Sequence, residues 1–193
     1  MPNLRPFRDY DEKDVINLYA LSGATLPLNK GTIVKIEGTK GFRHDLEPIE
    51  MLGSFGDFTT SNTVLQRYGV TPKVTVAGTG DYPLGMTLFD VRELDENGLP
   101  LKYNPRKAAE MEAVLSGQAV PVVTRGTFLY SGVTGTITPG APAWLGANGT
   151  IVTGFQGYNL PGQTGVLPQV KVGKFLGATG TDGACLIWFN IGN

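Results

Sequence analysis

Residues 126–170 read GTFLYSGVTGTITPGAPAWLGANGTIVTGFQGYNLPGQTGVLPQV, with ten glycines and no charged side chain. Beyond Arg125, only Lys171, Lys174 and Asp182 carry a charge. A soluble monomer normally distributes charges over its outer surface, which keeps it solvated. A long β-type stretch without charges therefore indicates that a neighbouring molecule covers much of it. This charge-free tract favours a component of an assembly over a free-standing enzyme.

Short strands joined by tight turns are predicted within the tract and on both sides of it. Alternating or β-branched apolar runs indicate strands, and the Asn-Gly pairs at 97–98 and 148–149 indicate hairpin turns, because both residues tolerate positive φ angles. Residues 15–21 fit either a strand or a short helix. The predicted strands are 32–37, 70–77, 86–94, 99–103, 120–123, 127–130, 143–145, 150–153, 170–176 and 184–191.

One short helix is predicted at about 105–116. Asn104 is a good N-cap, Pro105 suits the first helical position, and Gly117 follows a run of strong helix formers. The sequence therefore predicts a mainly β fold, an antiparallel β-sandwich or a barrel-like domain, with one short helix and an extended N-terminal arm.

The predicted arm covers residues 1–14. Two prolines and an alternation of aromatic and basic side chains, Arg5, Phe7, Arg8 and Tyr10, favour an extended conformation over a helix. Either the arm packs on its own domain as a terminal strand, or it reaches a partner subunit. In the second alternative these four side chains are candidate contacts with the partner.

The remaining residues, 15–193, are predicted to form one β-rich domain, with an excursion or small subdomain at 38–69 as an alternative. A hydrophobic content of 41% supports a real core, and the net charge is −1. No basic excess is present to release counterions from a nucleic acid, so such a partner is disfavoured. No apolar run reaches the roughly 18 residues of a membrane span, and the polar N-terminus does not resemble a signal peptide. We expect folding in a cytoplasm.

The sequence contains no convincing catalytic, cofactor or metal site. One histidine, His44, and one cysteine, Cys185, cannot supply the three or four ligands of a zinc site, and no serine lies in a G-x-S-x-G motif. Cys185 lies in an apolar run and is expected to be buried. The turn at 95–98 lacks the spacing of a calcium loop. Pairs of carboxylates that could act on a sugar are Glu47 with Glu50 and Asp90 with Glu93.

Three aromatic residues of the charge-free tract are candidate interface residues. Trp144, Phe155 and Tyr158 have no charged neighbours within the tract, and protein interfaces are rich in aromatic residues and poor in charge at their centres. Simple core packing is the alternative for these three residues. Trp188 lies in the apolar C-terminal run and is expected to be core.

The sequence resembles the decoration, or cement, proteins of tailed-bacteriophage capsids. The segments that carry this resemblance are LRPFRDYDEKDVINLYAL, LPLNKGTIVKI, GDYPLGMTLFDVRELDENG, NPRKAAEMEAVLSGQAVPVVTRG and VGKFLGATGTDGACLIWFNI. The last segment is the most suggestive, with a Val-Gly-Lys strand, a turn of small residues at Asp182-Gly183 and an apolar final strand. The motifs are structural, so no binding residue is transferred from the family.

This resemblance implies a non-enzymatic role on the exterior of the virion. Its partners would be the major capsid protein and copies of the chain itself, as a trimer or dimer, and it would stabilise the shell against packaged DNA. An alternative within the same class is a head-fibre base, a minor capsid protein or a tail-associated protein. An alternative from another class is a carbohydrate-binding module or carbohydrate-active enzyme, which would use the exposed aromatic residues and carboxylates.

Overall fold

Two six-stranded β-sheets form the framework of the chain in the computed structural model. The structure describes residues 3–7, 11–22, 27–38, 41, 72–133, 135–155, 158–159, 166–167 and 169–191. The strands of the first sheet, in order across it, are β1 (Asn3–Pro6), β10 (Arg125–Ser131), β16 (Ala184–Asn190), β15 (Lys171–Phe175), β11 (Pro142–Leu145) and β12 (Ile151–Val152). Neighbouring strands of this sheet are antiparallel.

The second sheet is mixed. Its strands, in order, are β2 (Val15–Ile16), β9 (Val122–Val123), β6 (Gly85–Thr87), β4 (Ile33–Ile36), β5 (Lys73–Val76) and β3 (Ala20–Leu21), and only β3 and β5 are parallel. The other strands of the described residues form two pairs. Strands β7 (Asp90–Val91) and β8 (Ala113–Val114) are parallel, and β13 (Tyr158–Asn159) and β14 (Val166–Leu167) are antiparallel.

The sheets pack face to face, as in a β-sandwich. Alternate residues of the first sheet, such as Phe128 and Ile187, are fully buried in one core together with Ile33 and Met86 of the second sheet. The opposite face of the second sheet lines another core, which contains Val34 and is covered by side chains of β7 and β8. Both faces of the second sheet are therefore buried. This explains why its strands read as continuous apolar pairs without alternation.

One short segment supplies both edges of the second sheet. Within residues 15–21, β2 pairs with β9 at one edge and β3 pairs with β5 at the other. The sheet is consequently strongly curled. Near β3 the two edges meet only at an isolated bridge between Ala20 and Ala119 among the described residues, so the curl stops short of a closed barrel. The sandwich alternative of the predicted fold is confirmed.

The predicted helix exists, but its predicted end at 116 is wrong. Helix α1 spans Pro105–Glu110, begins after Asn104 without a side-chain capping hydrogen bond, and is followed by a residue with positive φ, Glu112. The chain then enters β8, whose pairing with β7 replaces the last predicted helical turns. The predicted strand 99–103 is also wrong, because residues 101–103 form a 3-10 helix. The other 3-10 helices among the described residues are Glu12–Asp14 and Ala147–Gly149.

Two other predictions concern the turns and the arm. Asn148, Gly149 and Gly98 have positive φ, as the Asn-Gly turns require. Of the predicted arm, residues 3–6 form β1 at the edge of the first sheet of the same chain. The reach of the arm to a partner subunit stays a prediction.

The excursion at 38–69 falls almost entirely outside the described residues. No helix in the described part of the chain is long and apolar enough to cross a membrane.

Candidate interaction surface

The outer face of the first sheet is the side turned away from the second sheet. Strand β16 shows how the sequence builds it: Cys185, Ile187 and Phe189 are buried in the core, whereas Leu186 and Trp188 alternate with them and remain partly exposed. Because successive strand side chains point to opposite faces, the outer face receives every second residue.

Antiparallel pairing aligns these outward residues in rows across the strands. Leu129 pairs with both Arg5 and Leu186, and Trp188 pairs with both Thr127 and Lys174. Further outward residues are Phe7, Arg125, Pro142, Trp144, Lys171, Leu176 and Asn190. The outer face thus combines a broad apolar surface with a few basic groups.

An aromatic pair lies at one side of the outer face. Trp144 of β11 contacts Phe155 edge to face, with ring centroids 5.3 Å apart and an interplanar angle of 74°. Phe155 is 56% exposed. Phe7, which directly follows β1 at the opposite edge of the sheet, is 54% exposed. An edge-to-face pair is a rigid contact of large area. Such groups serve as anchors in protein interfaces at a low entropic cost.

The charged groups on and beside the outer face are unevenly matched. Arg5 pairs with Asp182 at 3.1 Å, and the N–H of Ala184 together with the Arg5 guanidinium holds the pKa of Asp182 below its usual value. Arg125, Lys171 and Lys174, all exposed, make no ion pair with any described residue. The outer face therefore has free cations and no free carboxylate among the described residues.

The structure places four of the seven predicted contact residues on one face. Arg5, Phe7, Trp144 and Phe155 come from distant parts of the sequence and all belong to the outer face. Two others, Arg8 and Tyr10, fall outside the described residues. The seventh, Tyr158, begins β13.

Several residues of the outer face were not predicted. Trp188 was expected in the core, and this is wrong: it alternates with Ile187 and Phe189 and points outward. The leucines of the outer face were also missed. A strict two-residue alternation through residues 184–190, starting from a buried Cys185, would have assigned Leu186 and Trp188 to it.

Some of the residues considered for catalysis lie in the described part of the chain, and there they have structural roles. Asp90 accepts the Lys30 N–H at 2.7 Å and pairs with Arg92 at 2.8 Å, while Glu93 is exposed. Burial raises the pKa of the Cys185 thiol to about 11, and its Sγ donates to the Tyr130 carbonyl. The prediction of a buried Cys185 is confirmed.

The remaining catalytic candidates, His44, Glu47 and Glu50, fall outside the described residues. Within the part that is described, no three His, Cys, Asp or Glu side chains form a group that could hold a metal ion. In comparisons with known proteins, no family model and no curated protein matches the chain.

Proposed function

We propose that this chain is a virion structural protein that binds the outside of a tailed-phage head as a decoration, or cement, protein. The observation that carries the proposal is the outer face, where the partly exposed Trp144 and Trp188 and the exposed Phe155 and Phe7 lie with leucines. Exposed apolar surface of this kind marks interaction sites. The resemblance of the sequence to cement proteins supplies the partner, the major capsid protein.

The physical demands of shell binding fit this surface. A stable interface buries roughly 800 Å² on each partner, and a pleated sheet face of six strands offers a broad area. Many copies bound to one shell, or a trimer or dimer bound at one junction, multiply modest contacts by avidity. The near-neutral net charge of −1 allows dense coating without strong repulsion between neighbouring copies.

The proposed role requires no catalysis by the chain. The chain would be made in the host cytoplasm and end on the capsid exterior. Its β1 strand forms one edge of the first sheet and contributes Arg5 to the outer face.

The test has two steps. Quantitative mass spectrometry of purified particles from the source lysate should find the chain at a copy number comparable to the major capsid protein. Purified chain should then rebind stripped particles, and Trp144→Asp should weaken rebinding, because a carboxylate at the centre of an apolar contact is desolvated without a partner.

Tyr82→Asp is the matched control for Trp144→Asp, because Tyr82 is 89% exposed and lies outside the first sheet. It should leave rebinding unchanged. Both variants should keep the far-UV circular dichroism of the parent. Absence of the chain from particles, or equal rebinding of both variants and the parent, would overturn the proposal. Few copies per particle would instead indicate a vertex, fibre or tail component.

A further inference from the structure

Each tryptophan of the outer face has a lysine directly across from it. Lys174 of β15 pairs with Trp188 of β16, and Lys171 of β15 pairs with Trp144 of β11. Both lysines are exposed, and both tryptophans are partly exposed. Opposite residues in antiparallel strands lie close enough for their side chains to interact. The outer face thus places one lysine in the strand position directly across from each tryptophan.

An irregularity in strand pairing turns both lysines to the same side. Residues three apart in a regular strand point to opposite faces, because side chains alternate. Between β11 and β15, however, the register shifts: Gly173 pairs with Ala143, the next β11 residue pairs with Lys171, and Val172 is left unpaired and buried. Such bulges re-aim side chains and recur at functional positions. Here the bulge places Lys171 on the outer face with Lys174.

The two lysines of this region lack the carboxylate partner that several lysines elsewhere in the described structure have. Lys30, Lys35 and Lys107 each lie 2.7 Å or less from a carboxylate oxygen. Lys171 and Lys174 have no such partner among the described residues, and Asp182, in the connection between β15 and β16, is held by Arg5. An ammonium group that is desolvated in an interface needs a carboxylate or hydrogen-bond acceptors from the partner.

We propose that the outer face binds an acidic patch on the exterior of the major capsid protein, with Lys171 and Lys174 forming ion pairs with its carboxylates. This inference rests on the proposed function and specifies the chemistry of its partner. The tryptophans supply the apolar contact, and the lysines fix register and speed association, as complementary charges do at interfaces. Nucleic acid fits less well as a partner. Three free cations, counting Arg125, would neutralise only a few backbone phosphates, and much of the face is apolar.

The experiment measures rebinding to stripped particles across a salt series from about 50 to 500 mM, a range in which screening becomes strong. Wild-type affinity should fall with salt. Lys171→Gln/Lys174→Gln should bind about two- to fivefold more weakly at low salt, as the loss of exposed ion pairs predicts, and should flatten the salt dependence. Lys171→Glu/Lys174→Glu should lose at least about tenfold, because like charges then meet.

Lys102→Glu is the matched control, since Lys102 is exposed on a 3-10 helix away from the first sheet; it should bind like the parent. If the parent rebinds but salt and both double variants leave affinity unchanged, the acidic-patch inference is wrong while the decoration role stands. If the parent does not rebind at all, the proposed function itself fails. If the parent bound duplex DNA or heparin as tightly as it binds particles, and with the same salt dependence, the inference of a protein partner would be wrong.

Discussion

At the residue scale, Asp95 shows how one carboxylate organises a turn. Its side chain is 1% exposed and accepts hydrogen bonds from the Asn97 N–H at 2.8 Å, the Leu99 N–H at 2.7 Å and the Lys107 ammonium at 2.6 Å. The bond from Lys107 and that from the Leu99 N–H hold the pKa of Asp95 below its usual value. The same contact raises the pKa of Lys107.

We predict that Asp95→Asn destabilises the protein, because an amide cannot accept all three bonds with a charged donor among them. The midpoint of urea unfolding at pH 7 should fall. A carboxylate with a lowered pKa in the folded state contributes stability above its unfolded pKa of about 4, and loses it as the pH falls through the folded value. The difference between parent and variant should therefore shrink in acid.

Measurement of the urea midpoint at pH 7 and at decreasing pH checks both parts. Glu93→Gln is the control, since Glu93 is an exposed acidic residue two positions earlier. A difference between Asp95→Asn and the parent that stays constant down to acid pH would contradict the ion-pair explanation.

The sequence predicts the Asp95 turn but only part of its chemistry. The pair Asn97-Gly98 is a local signal, and Gly98 has the expected positive φ. Lys107 lies twelve residues from Asp95, on helix α1, and no local pattern reports that their side chains meet. Trp188 illustrates the same limit, since an apolar run does not say which of two alternating faces is covered.

At the element scale, β1 shows which of two contacts holds an edge strand in place. Leu4 is 2% exposed and belongs to the core between the sheets, whereas the Arg5–Asp182 ion pair is exposed at 57% on both side chains. Burial of a leucine and the cavity left by its removal outweigh an exposed ion pair, which is screened by water and salt.

We predict that Leu4→Ala lowers the free energy of unfolding by about 2–5 kcal/mol, and that Arg5→Ala lowers it by less than about 1 kcal/mol. Urea unfolding followed by circular dichroism measures both. The two variants control for each other, because they change neighbouring residues of one strand that point to opposite faces. A larger effect for Arg5→Ala would mean that the charge pair, not the core contact, secures β1.

Helix α1 marks the limit of local propensity at this scale. The run from Lys107 to Leu115 consists largely of strong helix formers, which predicts a helix to about 116. The helix ends at Glu110 because the chain turns at Glu112, where φ is 49°, and Ala113–Val114 then pairs with Asp90–Val91. This pairing joins distant residues, so tertiary contacts override a preference that the sequence states clearly.

At the scale of the whole molecule, the fold class was predictable and the topology was not. Turn signals and short apolar runs indicate a mainly β chain wherever they occur. The choice between sandwich and barrel depends on pairings such as β1 with β10 and β3 with β5, which join residues far apart in sequence. Likewise, Phe7 and Trp144 lie on the same outer face only because the first sheet contains both β1 and β11.

The second sheet couples the two cores of the molecule. Adjacent residues Ile33 and Val34 of β4 are fully buried in different cores, as are Val122 and Val123 of β9. Melting either core would therefore expose one face of the same sheet. We expect a single cooperative unfolding transition in which neither core survives alone.

Val34→Ala tests this coupling, because Val34 lies in the second core while both tryptophans, Trp144 and Trp188, lie on the first sheet. The variant should lose roughly 2 kcal/mol and should lower the urea midpoint seen by tryptophan fluorescence as much as that seen by circular dichroism. Ile36→Ala, at the exposed end of the same strand, should have a smaller effect. A fluorescence midpoint unchanged by Val34→Ala would show that the first sheet and its core unfold independently of the second core.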